Sequence, residues 1–208
     1  MQKMVSWQSL QSDLEQCEKC GLCKQRKNTV LGMGDMHADV LFVGEGPGRQ
    51  EDEQGLPFVG AAGQLLDKML ASIGLDRMNN VYIANVVKCR PPGNRTPTEE
   101  EALACLDYLR AQTALIKPKI IVCLGATAIA HLIGKQIRVT QDHGKWTQRK
   151  NVWMMPTYHP AALLRDESKK RDSYHDLLAL KQKIEELQLE GEDAHGQATG
   201  MGETETGL

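Results

Sequence analysis

Six cysteines in a chain of 208 residues are the first candidates for chemistry. Cys17 and Cys20 form a C-x-x-C near the N-terminus, and Cys89 and Cys105 form a wider pair with 15 residues between them. Neither spacing is that of a zinc finger, yet four thiolates drawn from two distant segments can close one tetrahedral or cubane metal site. Cys23 is surplus and makes a second C-x-x-C with Cys20, so it can in principle replace a ligand. Cys123 lies within Ile120-Ile121-Val122-Cys123-Leu124 and reads as a small buried apolar residue. Two polar signals accompany the cysteines. Gly44-Glu45-Gly46-Pro47-Gly48 places a carboxylate in a turn whose glycines permit close approach of backbone to a ligand. His159-Pro160 holds an imidazole beside a proline that fixes the local backbone. Gly44-x-Gly46-x-Gly48 is neither a Walker loop nor a GxGxxG fingerprint, which argues against a simple phosphate cradle.

The composition is that of a globular protein, with 41% hydrophobic and 25% charged residues. No apolar run approaches the roughly 20 residues of a membrane span. The first 18 residues lack the apolar stretch of a signal peptide. A cytoplasmic location is therefore expected, where thiols stay reduced and a three-disulfide framework is disfavoured. The formal net charge is −2, but Glu190, Glu192, Asp193, Glu203 and Glu205 all fall in the last 19 residues, which hold no Lys or Arg. Without these five acids the body carries 25 basic and 22 acidic residues. That mildly basic balance permits nucleic-acid binding without demanding it. The division expected is one domain over 1–189 and an acidic, disordered tail over 190–208.

Alternating elements must position these groups. Helices are expected over 7–16, 61–73, 98–116, 126–133 and 173–189, with Thr98 and Glu101 matching a capping box. Short apolar runs over 39–44, 81–87, 120–124 and 152–155 read as buried parallel strands. The fold expected is a three-layer α/β/α sandwich around a four-stranded parallel sheet. Ligands bind such folds beyond the carboxyl ends of the strands. Gly44 to Gly46, Asn85 and Tyr158-His159 follow or end three of the four strands, so three strand ends converge on one edge.

Gly44 to Asp52, Gly55-Leu56-Pro57-Phe58-Val59-Gly60 and Gly63 to Asp67 together resemble the first motif of family 4 uracil-DNA glycosylases. Asn85-Val86-Val87-Lys88-Cys89-Arg90-Pro91-Pro92 and His159-Pro160-Ala161-Ala162-Leu163-Leu164-Arg165 resemble the later motifs. The resemblance runs from about Cys17 to Leu189 and implies a DNA-repair enzyme of the uracil-DNA glycosylase fold carrying a 4Fe–4S cluster. It implies that Cys17, Cys20, Cys89 and Cys105 hold that cluster, which thiolate count alone does not distinguish from zinc.

It also implies roles for the polar residues. Phe58 is expected to stack on a flipped base, or else to anchor its loop on the core. The Asn85 amide offers the donor and acceptor that complement uracil O4 and N3–H, although an Asn at a strand end also bonds its own backbone. Glu51 is expected to block the space a thymine methyl needs, or to cap the next turn. His159 would donate to uracil O2 as the glycosidic bond breaks, aided by amides of Gly44 to Gly46. Glu45 would orient water or stabilise the sugar cation; Gly46 stands where other branches carry an aspartate. Leu163 or Leu164 would wedge into the duplex and Arg165 would hold a phosphate. Arg90, Arg95 and the run Lys169-Lys170-Arg171 are further DNA-facing candidates, the last also reading as a solvated helix entry. The expected partner is uracil-containing DNA, single- or double-stranded, bound by a monomer near the nucleoid. A covalently trapping or non-catalytic uracil-DNA binder is the alternative. The related trapping branch uses an Arg-rich loop with a histidine, and residues 88–95 contain none.

Overall fold

The computed structural model describes residues 6–196. Its strands are β1 (Met33–Gly34), β2 (Val40–Gly44), β3 (Val81–Asn85), β4 (Ile120–Leu124), β5 (Thr147–Arg149) and β6 (Val152–Thr157). Its α-helices are α1 (Trp7–Glu15), α2 (Arg49–Gln54), α3 (Ala61–Ala71), α4 (Glu99–Ile116), α5 (Ala126–Leu132), α6 (Val139–Asp142), α7 (Pro160–Arg165) and α8 (Lys170–Gly196). The strands form one sheet in the order β1-β3-β2-β4-β6-β5. The pairs β3–β2, β2–β4 and β4–β6 are parallel.

Side chains alternate across each parallel strand, and both faces are buried. Leu41, Val43, Tyr82, Ala84, Ile121 and Cys123 face one core, closed by Leu10 and Leu14 of α1, Leu106 and Leu109 of α4 and Ile129 of α5. Phe42, Ile83, Ile120, Val122 and Leu124 face the other, closed by Leu66 and Leu70 of α3 and Leu177 and Leu180 of α8. Cys123 is fully buried in the first core, as its apolar setting required. The three-layer sandwich thus forms as expected.

The sheet has six strands rather than the four anticipated. β1 and β5 are edge strands that pair antiparallel with β3 and β6. They have two and three residues, and every residue of β5 is exposed, so neither carries the apolar run that announces a buried strand. Helix α8 starts at Lys170 and runs on to Gly196, beyond the expected limit of residue 189. The rest of the anticipated tail, 197–208, lies outside the described residues. No described helix is long and apolar enough to cross a membrane.

The capping box forms at α4. Thr98 Oγ1 accepts from the Glu101 amide at 3.2 Å, and Glu101 accepts from the Thr98 amide at 2.8 Å. Glu101 also binds Arg95 at 2.7 Å, and that contact does most to hold its carboxyl down at about 2. Thr98→Ala is expected to lower unfolding stability by about 1 kcal/mol, measurable as a lower urea midpoint at unchanged m-value; an unchanged midpoint would contradict the cap's contribution.

Candidate active site

Strand register builds the site. β2 and β3 end in step, with Gly44 opposite Asn85, and β4 and β6 end with Leu124 opposite Thr157. The chain then leaves each strand at the same edge, above a cleft of about 740 Å³. Glu45, Gly46, Glu51, Phe58, Asn85, His159 and Arg165 all line it. Gly44 shapes the slot at its base. A Cβ there would lie 2.5 Å from Asn85 Oδ1 and 2.6 Å from the Phe58 ring, so any side chain would fill the gap between amide and ring.

Phe58 adopts φ 53°, a left-handed conformation unfavourable for a non-glycine residue. Its loop is fixed by charged groups on both sides. Arg77 donates to the carbonyls of Pro57 at 3.2 Å and Phe58 at 3.0 Å while pairing with Asp67 at 2.6 Å. One Glu51 oxygen accepts from the amides of Val59 at 3.0 Å and Gly60 at 2.9 Å. Glu51 therefore lines the cleft and organises the loop at once. Phe58 packs on the second core and also stacks near His159, with centroids 5.5 Å apart and planes at 27°. Anchor and cleft wall are the same ring.

Asn85 is buried, and its Oδ1 finds no hydrogen-bond partner. Its main-chain carbonyl accepts from Lys88 Nζ at 2.8 Å. Lys88 is wholly buried; its ammonium also reaches Gln112 Oε1 at 2.5 Å, and Gln112 in turn donates to Leu31 O at 2.8 Å. Burial pulls the Lys88 amine down to about 8.

His159 caps α7. Its Nδ1 accepts from the Ala161 amide at 3.1 Å, which leaves the ring proton on Nε2. Burial, helped by the nearby Arg165 cation and opposed by Glu51, lowers its pKa to about 4. The ring is therefore a neutral donor at pH 7. The strand end carrying it is tied to α8, where Asp176 Oδ2 accepts from Thr157 Oγ1 at 2.5 Å and Asp176 Oδ1 lies 2.9 Å from His143 Nδ1.

Thr127, on the first turn of α5, donates its hydroxyl to Glu45 Oε2 and also lines the cleft. Sequence reasoning used three strand ends and left out the fourth, after β4. The same strand-end rule applied to Gly125-Ala126-Thr127 points to it.

A family model for the uracil DNA glycosylase superfamily matches residues 31–180. The type-4 uracil-DNA glycosylase of Thermotoga maritima is 48% identical over 159 residues, covering 74% of this chain and 81% of the relative. That of Pyrobaculum aerophilum is 47% identical over 178 residues, covering 82% and 90%. That of Archaeoglobus fulgidus is 46% identical over 175 residues, covering 77% and 84%. The chain belongs to the type-4 uracil-DNA glycosylases.

In this type-4 glycosylase the expected DNA-contacting leucines divide. Leu163 is 2% exposed and packs inward, so it is unavailable as a wedge; Leu164 is 47% exposed and faces out. A six-residue helix, α7, separates them, turning neighbouring side chains about 100° apart. Arg165 and Arg95 both line the cleft, while Arg90 is bound to Asn94 at 2.6 Å.

A second, small cavity is lined by Cys17, Cys20, Cys23, Cys89 and Cys105. Two donors already face its sulfurs, the Lys88 amide at 3.3 Å from Cys105 Sγ and Arg26 Nη1 at 3.5 Å from Cys89 Sγ. Burial pushes the Cys89 thiol up to about 11 and raises Cys105 and Cys20 as well. Among the described residues no three His, Cys, Asp or Glu side chains stand close enough to share a single metal ion. Cys17 and Cys20 precede the residues that the type-4 glycosylase chain shares with the superfamily model, which begin at 31.

The His159 environment has a measurable signature. Ring ¹⁵N resonances at pH 6 are expected to show a neutral imidazole protonated on Nε2, titrating near pH 4 rather than 6.5. With the folded pKa depressed, the unfolded chain takes the proton first, so this group's contribution to stability is intact above 6.5 and lost as pH falls toward 4. An imidazolium at pH 6 would contradict the assignment.

Proposed function

We propose that this chain flips uracil out of DNA and hydrolyses its N1–C1′ bond, leaving an abasic site for base-excision repair. The observation that carries this reading is the slot beside Gly44, where a buried Asn85 acceptor without a partner faces an aromatic ring across a gap that only glycine keeps open. An orphaned buried acceptor costs about 1–3 kcal/mol. Uracil N3–H repays that cost, and Asn85 Nδ2 donates to O4. Cytosine presents a bare N3 and an amino group, so it leaves Oδ1 facing another lone pair and is rejected. Phe58 stacks on the inserted base, and base–aromatic stacking of roughly 1–3 kcal/mol offsets much of the cost of flipping.

As the glycosidic bond lengthens, negative charge collects on uracil O2 and positive charge on the sugar. The neutral His159 Nε2–H is the donor for O2, held in place by its own cap to Ala161. The Glu45 carboxylate faces the developing sugar cation and orients the attacking water. Electrostatics dominate, and water enters late. Glu51 fixes the Phe58 loop and fills space against a 5-methyl group. Leu164 enters the gap left by the extruded nucleotide, and Arg165 meets a phosphate. In this reading the protein works as a cytoplasmic monomer alongside the nucleoid, where its substrate lies.

Cys17, Cys20, Cys89 and Cys105, which line the small second cavity, are the residues that would hold a 4Fe–4S cluster. Such a cluster would take one thiolate from each of these residues, so the four need not meet at a single ion. The N–H donors on Cys89 and Cys105 suit anionic sulfurs. When bound, the cluster supplies a covalent staple between the N-terminal segment and the loop and helix that follow Asn85.

Incubation with a uracil-containing oligonucleotide followed by alkali is expected to give strand breaks at uracil and none at cytosine or thymine. His159→Ala is expected to slow single-turnover excision by about 2.7–4 kcal/mol, roughly a hundred- to thousandfold, and Glu45→Gln by less. Rates unchanged in both variants would remove the assignment. The purified protein is expected to be brown, with about four iron and four sulfide per chain on analysis; a colourless, zinc-loaded active protein would refute the cluster.

A further inference from the structure

We propose that Thr127 is a positioning residue for the reaction, aiming the Glu45 carboxylate at the sugar through its hydroxyl. The proposal rests on the role given to Glu45 above. An ionised carboxylate only accepts hydrogen bonds, so the Thr127 hydroxyl is committed as donor to Glu45 Oε2. Glu45 follows β2, and its main chain is held where its carbonyl accepts from the Val87 amide at 3.1 Å, so its side-chain partner decides where the carboxylate points. Thr127 is a β-branched residue on the first turn of α5, with few χ1 options, three positions after the end of the central strand β4.

The turn between β4 and α5 also touches the other catalytic group. The Gly125 amide donates to Thr157 O at 2.9 Å, and a Cβ on Gly125 would lie 3.0 Å from His159 Cβ. The segment from Gly125 to Thr127 thus packs against His159 at one end and binds the Glu45 side chain at the other. It sets the distance between the group that meets uracil O2 and the group that meets the sugar. A hydrogen bond to a charged group of this kind carries enough energy for a tenfold or larger effect on rate.

The test is single-turnover excision by Thr127→Val, which keeps the shape and removes the hydroxyl, and by Thr127→Ser, which keeps the hydroxyl. Thr127→Val is expected to lower the chemical rate roughly tenfold or more while uracil-DNA affinity changes little, and Thr127→Ser to recover most of the loss. The same Thr127→Val change in a Glu45→Ala background is expected to have no further effect, because the carboxylate it aims is gone. Thermal melts check folding, and Thr127→Ala repeats the cycle if the valine does not fit. Wild-type rates for Thr127→Val, or an equal loss with and without Glu45, would overturn the positioning role. A Glu45→Ala enzyme as fast as wild type would instead overturn the reading of Glu45 on which the proposal rests.

Discussion

The gap between the Phe58 ring and the Asn85 amide is the constraint on which the rest of the molecule depends. It exists because β2 and β3 are parallel neighbours that end in step, so the residue opposite Asn85 is Gly44 and adds no side chain. A register shift of one residue would put a different side chain there and turn Asn85 to the other face. Both hydrophobic cores, on either side of the sheet, hold that register. The sandwich is therefore the gauge of the slot as well as its support.

Around the gap the protein keeps three groups in unfavourable states and fixes them from behind. Asn85 Oδ1 lacks a partner, while its carbonyl is held by the buried Lys88. Phe58 sits at positive φ, while Arg77 and Glu51 bind its loop on two sides. His159 is pushed toward the neutral form, while Asp176 holds the strand end that bears it. Each strained or orphaned group lines the cleft, and each has a charged residue outside the cleft or at its rim bound to the nearby main chain or strand end. Such an arrangement places the cost of preorganisation in folding, before any ligand arrives.

Much of this was legible in the sequence where the signal was periodic or punctuated. The four apolar runs became the four parallel strands, and Thr98 with Glu101 capped α4 as their spacing required. The polar residues at three strand ends did meet. What escaped was short or non-local. The edge strands β1 and β5 and the six-residue helices α2 and α7 are too brief for periodicity to register. Leu163 and Leu164 are the same residue type, and only the rotation of α7 sends one inward. The contacts Thr127 to Glu45, Lys88 to Gln112 and Thr157 to Asp176 join residues 19 to 82 positions apart, and no spacing rule connects them.

The hydrogen bond from the Ala161 amide to His159 Nδ1 decides more than the angle of a ring. It occupies the only lone pair a neutral imidazole has once Nε2 bears hydrogen. With that pair spent on the first turn of α7, the ring has nothing left with which to accept a proton from water. A helix cap thus confines the histidine to one half of acid–base chemistry, and in the reaction proposed above the proton of the attacking water is left to the carboxylate side of the cleft or to the solvent itself.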